Sequence, residues 1–294
     1  MEASRIQHPG PQTEPGVSLP VKFSVITPSL NQLAWLQLCI ASVADQEGAT
    51  VEHIVQDAGS TDGTPEWIRA DARASVFVEK DSGMYDAINR GLRRAAGEIF
   101  SYLNCDEQYL PGALQKVGGY FAEHPDVEVL FADALLLDSD CRPVSYRRAV
   151  VPNARHIRFC HLNTLSCATF FRRSILDKGH FFDANWKAIG DAVWVDGLLQ
   201  AHIRMACLRE ACSAFAFTGA NLGQSQASQR EADRWQPRRP FWARTAASLA
   251  HRLRKALAGA YRSRTLDVRV YTPQDRTRRE YFPGMRLGFD WPID

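Results

Sequence analysis

Asp57 to Thr64 reads D-A-G-S-T-D-G-T, and Leu103 to Glu107 reads L-N-C-D-E. Each follows an apolar or β-branched run, so each puts carboxylates in a loop at the carboxyl end of a buried strand. That is the edge where open α/β sheets bind ligands. The first loop combines two glycines, two carboxylates and three hydroxyls. Glycine lets the backbone come close to a ligand, and a carboxylate at a strand end accepts hydrogen bonds from a base or a ribose. The second loop carries Asn104, Asp106 and Glu107, an oxygen set that suits Mn2+ or Mg2+ held by one or two carboxylates plus diphosphate oxygens. Both loops also have a structural reading: Asp62 or Thr64 as a helix cap, and the N-x-D run as a cap for a helix starting at Pro111. Between them, Asp81 to Gly91 reads D-S-G-M-Y-D-A-I-N-R-G. Asp81 or Ser82 can cap a helix there, Asp86 suits its first turn, and Asn89 falls nearly on the same face as Asp86. Together these loops suit a metal-dependent enzyme that uses a nucleotide-linked donor.

The elements that would position these residues follow in order. Val21–Thr27 is a strand closed by Pro28, and Ser29 or Asn31 can cap a helix over Leu33–Ala44. A strand over Val51–Gln56 precedes a helix opened by Thr64 and Pro65, where proline's missing N–H is tolerated. Val76–Val78, Ile99–Leu103 and Val127–Ala132 read as further strands, with helices over Tyr85–Ala96 and Pro111–Glu123. This βα alternation predicts an α/β fold with a mainly parallel central sheet flanked by helices. After Asp138 the alternation breaks down: a turn at Asp138–Cys141, a strand over Val144–Val151, an apolar stretch at Leu165–Phe171 and a helix over Asp191–Gln200.

The 294 residues, 45% hydrophobic and 23% charged, are ordinary for a globular chain. The net charge of +2 conceals ten Lys/Arg between Arg230 and Arg264 against Glu231 and Asp233, a local excess suited to an anionic surface. Seven cysteines lack the C-x-x-C and His spacings of a zinc site and fit a reducing compartment. Residues 1–20, rich in Pro, Gly, Ser and Gln, read as a disordered leader without the pattern of a secretory signal. No apolar run is long enough to span a bilayer. The expectation is a cytoplasmic protein.

Four motifs in order, S-V-I-T-P-S-L-N-Q (Ser24–Gln32), D-A-G-S-T-D-G-T, D-S-G-M-Y-D-A-I-N-R-G and G-E-I-F-S-Y-L-N-C-D-E-Q-Y-L-P-G-A-L (Gly97–Leu114), resemble the family-2 glycosyltransferases of the GT-A fold. The resemblance runs from Phe23 to Gly223 and implies a glycosyltransferase domain over 21–223, with a basic, partly helical extension over 224–294. It implies that Pro28, Ser29 and Asn31 form the first nucleotide-contacting loop. Asp57, with Ser60 and Asp62, would meet the base or ribose, and Asp81, Asp86 and Asn89 would form a polar segment on the donor side. Asn104-Cys105-Asp106 takes the place of the family's D-x-D, whose last aspartate binds the metal. Asn104 in place of the first aspartate lowers the charge by one, and Ser166-Cys167 stands where His-Gln is often seen.

Gly190-Asp191-Ala192-Val193-Trp194 resembles the family's segment that supplies the base, so Asp191 is the candidate to deprotonate an acceptor hydroxyl. It can also cap the helix toward Leu199. Single displacement at an anomeric carbon requires such a group opposite the departing nucleotide, with a cation to offset diphosphate charge. The implied activity is inverting transfer of a hexose from a UDP-, GDP- or dTDP-linked donor to a saccharide or lipid-linked saccharide, in surface polysaccharide or glycolipid synthesis. Two rivals are a nucleotidyltransferase, whose basic Gly-rich loop Pro28–Asn31 does not match, and a non-catalytic sugar-nucleotide-binding protein at a membrane surface. Dinucleotide and P-loop fingerprints are missing. His161 reads as structural, and Trp186 and Trp194 as a sugar platform or core.

Trp242, Ala246, Leu249, Leu253, Ala256, Leu257 and Ala260 recur at helical spacing, with Arg244, His251, Arg252, Lys255 and Arg262 toward the other side. Residues 242–262 therefore form a basic amphipathic helix that either lies on an anionic membrane, making the protein peripheral on its inner face, or packs on the core. No nucleic-acid-binding module supports a nucleic acid as partner.

Overall fold

The computed structural model describes residues 22–219, 221–236 and 240–291. The expected leader over 1–20 lies outside the described residues. The strands are β1 (Lys22–Ser29), β2 (Thr50–Asp57), β3 (Ser75–Val78), β4 (Ile99–Tyr102), β5 (Glu107–Tyr109), β6 (Val129–Leu137), β7 (Pro143–Arg147), β8 (Thr169–Arg172), β9 (Met205–Ala216), β10 (Arg264–Val270) and β11 (Glu280–Leu287). The helices are α1 (Leu33–Ala44), α2 (Thr64–Arg69), α3 (Met84–Arg94), α4 (Ala113–Glu123), α5 (Ala154–Phe159), α6 (Arg173–Asp177), α7 (Gly190–Gln200), α8 (Gln226–Trp235) and α9 (Phe241–Leu257).

Nine strands form one sheet in the order β3-β2-β1-β4-β8-β6-β9-β5, with β7 also on β6. β3, β2, β1 and β4 run parallel, as the βα alternation requires. Beyond β4 the sheet turns mixed: β8 runs antiparallel to both β4 and β6, while β6 and β9 are parallel. β6 (V-L-F-A-D-A-L-L-L) is buried along its whole length, the near-continuous apolar run expected of a strand covered on both faces. β1 includes Pro28, which pairs with Gln56 on β2 after β4 has ended at Tyr102, so proline's missing N–H falls where β1 has one neighbour rather than two.

Two apolar layers enclose the sheet. On one face Tyr85, Ile88 and Leu92 of α3 and Trp194, Val195 and Leu198 of α7 pack with Ile26, Phe100 and Phe171. On the other, Cys39 and Val43 of α1 and Leu114, Val117 and Phe121 of α4 pack with Phe23, Val25 and Leu130. The segment after β9 is more than a helix. α9 is followed by the antiparallel hairpin β10–β11, whose Val268, Val270 and Leu287 share a core with Leu38, Leu135 and Tyr146. Among the described residues no helix is long and apolar enough to cross a membrane.

Candidate active site

The parallel register brings the first loops together. Ser29 lies beside Asp57, the Leu103 N–H donates to Ile26 O at 2.9 Å, and Cys105 Sγ donates to Pro28 O at 3.4 Å. The segments after β1, β2 and β4 therefore lie along one edge of the sheet. Asp57 is fully buried and closes its own loop: Oδ2 accepts from the N–H groups of Gly59 (2.9 Å) and Ser60 (2.8 Å), and Oδ1 from Ser60 Oγ (2.6 Å). Ser60 Oγ in turn accepts from the Asn31 N–H at 2.8 Å, and Asn31 Oδ1 from the Thr61 N–H at 2.8 Å. Asn31 sits at φ 52°, a left-handed conformation that asparagine tolerates. Asp62 accepts from the Leu33 N–H at 2.9 Å, capping α1, and from the Thr64 hydroxyl at 2.6 Å. Desolvation pushes its carboxyl up, but the bonds from Thr64 and Leu33 outweigh it and hold the pKa below the ordinary value.

The candidate metal-holding residues follow β4. Asp106 is half-buried, and its Oδ2 accepts from the Asn221 amide at 2.8 Å. Glu107 is fully buried, accepting from the Asn104 N–H at 2.7 Å and from the Ser166 hydroxyl. Burial raises both carboxyls, and the Asp106 charge raises Glu107 further. Asn104 Oδ1 is buried without a partner. Among the described residues no group of three or more His, Cys, Asp or Glu could cage a metal. One half-buried carboxylate and one unsatisfied amide oxygen nevertheless fit a cation that takes its remaining ligands from a diphosphate and water. Asp106 and Asn104 are the residues that would hold it.

Asp191 opens α7 and is half-buried, its Oδ1 accepting from the Tyr85 hydroxyl at 3.2 Å and the Ala192 N–H at 2.8 Å. Burial raises its carboxyl against these two bonds. Tyr85 is held by a stack on Phe182, with centroids 5.5 Å apart. Asp191 lines a small cavity with Tyr102, Thr164 and Ser166, and Ser166 is also the donor to Glu107. One serine thus touches Glu107 and lines the cavity beside Asp191. Asp196, on the same helix, points elsewhere and pairs with Arg158 at 2.8 Å.

The donor-side segment is divided. Asp81 accepts from the Gly83 N–H at 2.9 Å, and burial, then the Asp86 and Asp57 charges, raise its carboxyl; two residues earlier the Glu79 N–H donates to Asp57 O at 2.9 Å, which sets this segment beside the loop after β2. Asp86 takes up the Ser82 N–H at 3.0 Å and pairs with Arg90 at 3.0 Å, in the first turn of α3 as the sequence suggested. Asn89 is buried in a two-way amide bridge, donating to Phe182 O at 2.7 Å and accepting from the Phe182 N–H at 3.0 Å. It braces the ring beneath Tyr85 rather than facing the edge. Trp194 is buried, stacked on Phe182 at 4.7 Å with its indole N–H on His180 O at 2.9 Å, and it also lines the small cavity that Asp191 lines.

Four contributors escaped the sequence reading. Tyr85 lies inside a quoted motif, but its pairing with Asp191 joins distant segments. Ser166, seen as a departure from the family, engages Glu107. Asn221 and Glu231 had no local signal. Glu231 on α8 accepts from the N–H groups of Lys187 (2.7 Å), Ala188 (2.9 Å) and Ile189 (3.2 Å), the residues that lead into Asp191.

The model of glycosyl transferase family 2 matches residues 24–178, more than half of the chain. The chain belongs to that family. A Mycobacterium bovis protein named "PGL/p-HBAD biosynthesis glycosyltransferase" is 32% identical over 126 residues, covering 41% of this family-2 chain and 49% of its own length. The Bacillus subtilis "Putative teichuronic acid biosynthesis glycosyltransferase TuaG" is 36% identical over 98 residues, 32% of this chain and 39% of its own. The chain thus spans about half or less of the length of these curated relatives. Among solved structures, S. aureus TarS 1-349 in complex with UDP-GlcNAc superposes with a TM-score of 0.55 at 21% identity, covering 69% of this chain and 61% of that one. The mannosyltransferase PcManGT from Pyrobaculum calidifontis in complex with GDP-Man and Mn2+ gives 0.52 at 17%, covering 82% and 77%. These likenesses show the GT-A fold.

Proposed function

We propose that this family-2 glycosyltransferase is an inverting, Mn2+- or Mg2+-dependent hexosyltransferase. It uses a UDP-, GDP- or dTDP-linked donor and a saccharide or lipid-linked saccharide acceptor in surface polysaccharide or glycolipid synthesis. We place it in the cytoplasm, peripheral to the membrane. The observation that carries the reading is the double engagement of Ser166, which donates to Glu107, the neighbour of Asp106 after β4, and lines one small cavity with Asp191 near the start of α7.

In this reading Asp57 holds the 59–62 loop in the shape that receives the nucleoside, with Pro28, Ser29 and Asn31 beside it and Asp81 flanking. Cys105 packs beneath. Asp106 and Asn104 would hold the cation, which when bound offsets charge on the diphosphate. Asp191 accepts the acceptor's proton; both of its side-chain bonds described above fall on Oδ1, and Oδ2 is the oxygen we assign to that proton. The acceptor oxygen attacks the anomeric carbon as the bond to the diphosphate breaks. A carboxylate raised by burial is a better base near neutrality than an exposed one.

Asp191→Asn should retain donor binding, read as a thermal shift with nucleotide sugar and Mn2+, and lose transfer by about 10²–10⁴-fold. Persistent transfer would place the base elsewhere. Product anomers read by NMR should be inverted; retention would rule out single displacement.

A further inference from the structure

α9 is docked by the side of the helix that its sequence marks as polar. The inner contacts are a stack of His251 on His156 with centroids 3.8 Å apart, a bond from Arg254 to Val151 O at 2.7 Å, and one from Arg148 to Ala258 O at 2.9 Å. The apolar stripe points away: Trp242 is 71% exposed, Leu249 58%, Leu253 62% and Leu257 81%, with Phe241 at 85% on its border. A helix that owed its position to its leucines would bury them. Here polar contacts fix the helix and leave a continuous apolar face uncovered.

The charge around that face indicates what covers it. From Pro240 to Leu266 the chain carries Arg244, Arg252, Arg254, Lys255, Arg262 and Arg264 and no carboxylate. Arg244, Arg252 and Arg262 are exposed. Leucines flanked by arginines, with Phe and Trp at one end, match the chemistry of an anionic bilayer surface, where aromatic rings sit at headgroup level and cations meet lipid phosphates. The position fits as well. α9 packs on α5 through His251 and His156, and α5 reaches α7, whose first turn carries Asp191, through the Arg158–Asp196 pair.

We infer that the outer face of α9 docks the protein on an anionic membrane and so holds the acceptor side of the site against the bilayer. The inference deepens the proposed transferase reading and rests on it for its purpose. Vesicle binding is measured without donor or acceptor, so failure of docking and failure of catalysis are separate results.

The test is co-sedimentation of the full chain with vesicles of phosphatidylcholine alone and of phosphatidylcholine mixed with phosphatidylglycerol. Binding is expected to the anionic vesicles, to weaken with salt, and to fall on the order of tenfold for each of Leu249→Ser and Leu253→Ser. Arg252→Glu should weaken it further. These side chains are exposed, so denaturation midpoints and transfer to a soluble acceptor should stay as in the wild type. Absence of binding, equal binding to neutral vesicles, or a dimer that the serine variants dissociate would each overturn the inference.

Discussion

Glu231 offers a demanding perturbation, because it lies outside the matched family segment yet holds the approach to Asp191. Its carboxylate accepts three backbone N–H groups, from Lys187, Ala188 and Ile189, at 2.7, 2.9 and 3.2 Å. Lys187 is exposed and Ala188 half-buried, so water can replace the carboxylate there, whereas Ile189 is buried. Glu231→Ala therefore loses charge-assisted bonds at two wet positions and strands one buried donor, which alone costs about 1–3 kcal/mol. A total near 2 kcal/mol corresponds to a fall of about 3 °C in Tm for a chain of this size. The loop it releases leads into Asp191, the proposed base, and carries the Ala188 carbonyl that accepts from the Tyr85 hydroxyl at 3.4 Å; displacing such a group by an ångström can cost up to about 10²-fold in rate. The assay is steady-state transfer with the acceptor varied, alongside nucleotide binding by thermal shift. We expect kcat to fall strongly while donor affinity holds, with Glu231→Gln intermediate because one oxygen remains. Unchanged kcat and Tm in the alanine variant would refute the idea that α8 positions the acceptor side.

Two further outcomes follow from packing and titration. At Gly190 an added Cβ would meet Tyr85 ring carbons at 2.6 Å, so Gly190→Ala should destabilise by about 1–3 kcal/mol and lower kcat by moving the Tyr85 hydroxyl off Asp191; calorimetry and kinetics together check this, and Tyr85→Phe should lower kcat with less loss of Tm. In the His156–His251 stack, burial first, then neighbouring cations and histidines, depress the pKa values to about 3 and about 4. The fold thus refuses protons that the unfolded chain accepts near 6.5. Stability is fully present above about pH 6.5 and is lost as pH falls toward 4, by at most about 1.4 kcal/mol per unit for each histidine. Unfolding midpoints across that window should slope down with acid, and His251→Phe should flatten the slope.

Much of the parallel half of the sheet was legible in sequence, because each element carries its own signal. Leu33–Ala44 has helical apolar spacing and forms α1 with those limits. Elements that depend on distant partners were not legible. β5 is Glu107-Gln108-Tyr109, which reads as a polar loop, yet it is buried against β9. β9 has its alternation interrupted at Arg209-Glu210, where the register against β6 slips around Asp133. The hairpin β10–β11 falls in the extension read only as basic and partly helical, and its Val268, Val270 and Leu287 share a core with Leu38 and Leu135.

The site divides in the same way. Residues at strand ends, from Ser29 to Asp57 and Asp106, converge because the βα pattern forces them to one edge. Asp57, Asp86 and Asn89 spend their polar atoms on the structure around them, and sequence alone could not separate that role from ligand contact. The spacing of α9 was readable, but which face meets the protein was not, since that is decided by His156 on another helix.

Whether Asp106 and Asn104 hold a cation for the donor is tested by titrating a nucleoside diphosphate into the wild type and Asp106→Ala, each with and without Mn2+. We expect Mn2+ to tighten wild-type binding by about tenfold or more, the scale of 1.4 kcal/mol, and to leave the variant unaffected. The same tightening in Asp106→Ala would contradict the assignment and move the cation to another part of the edge.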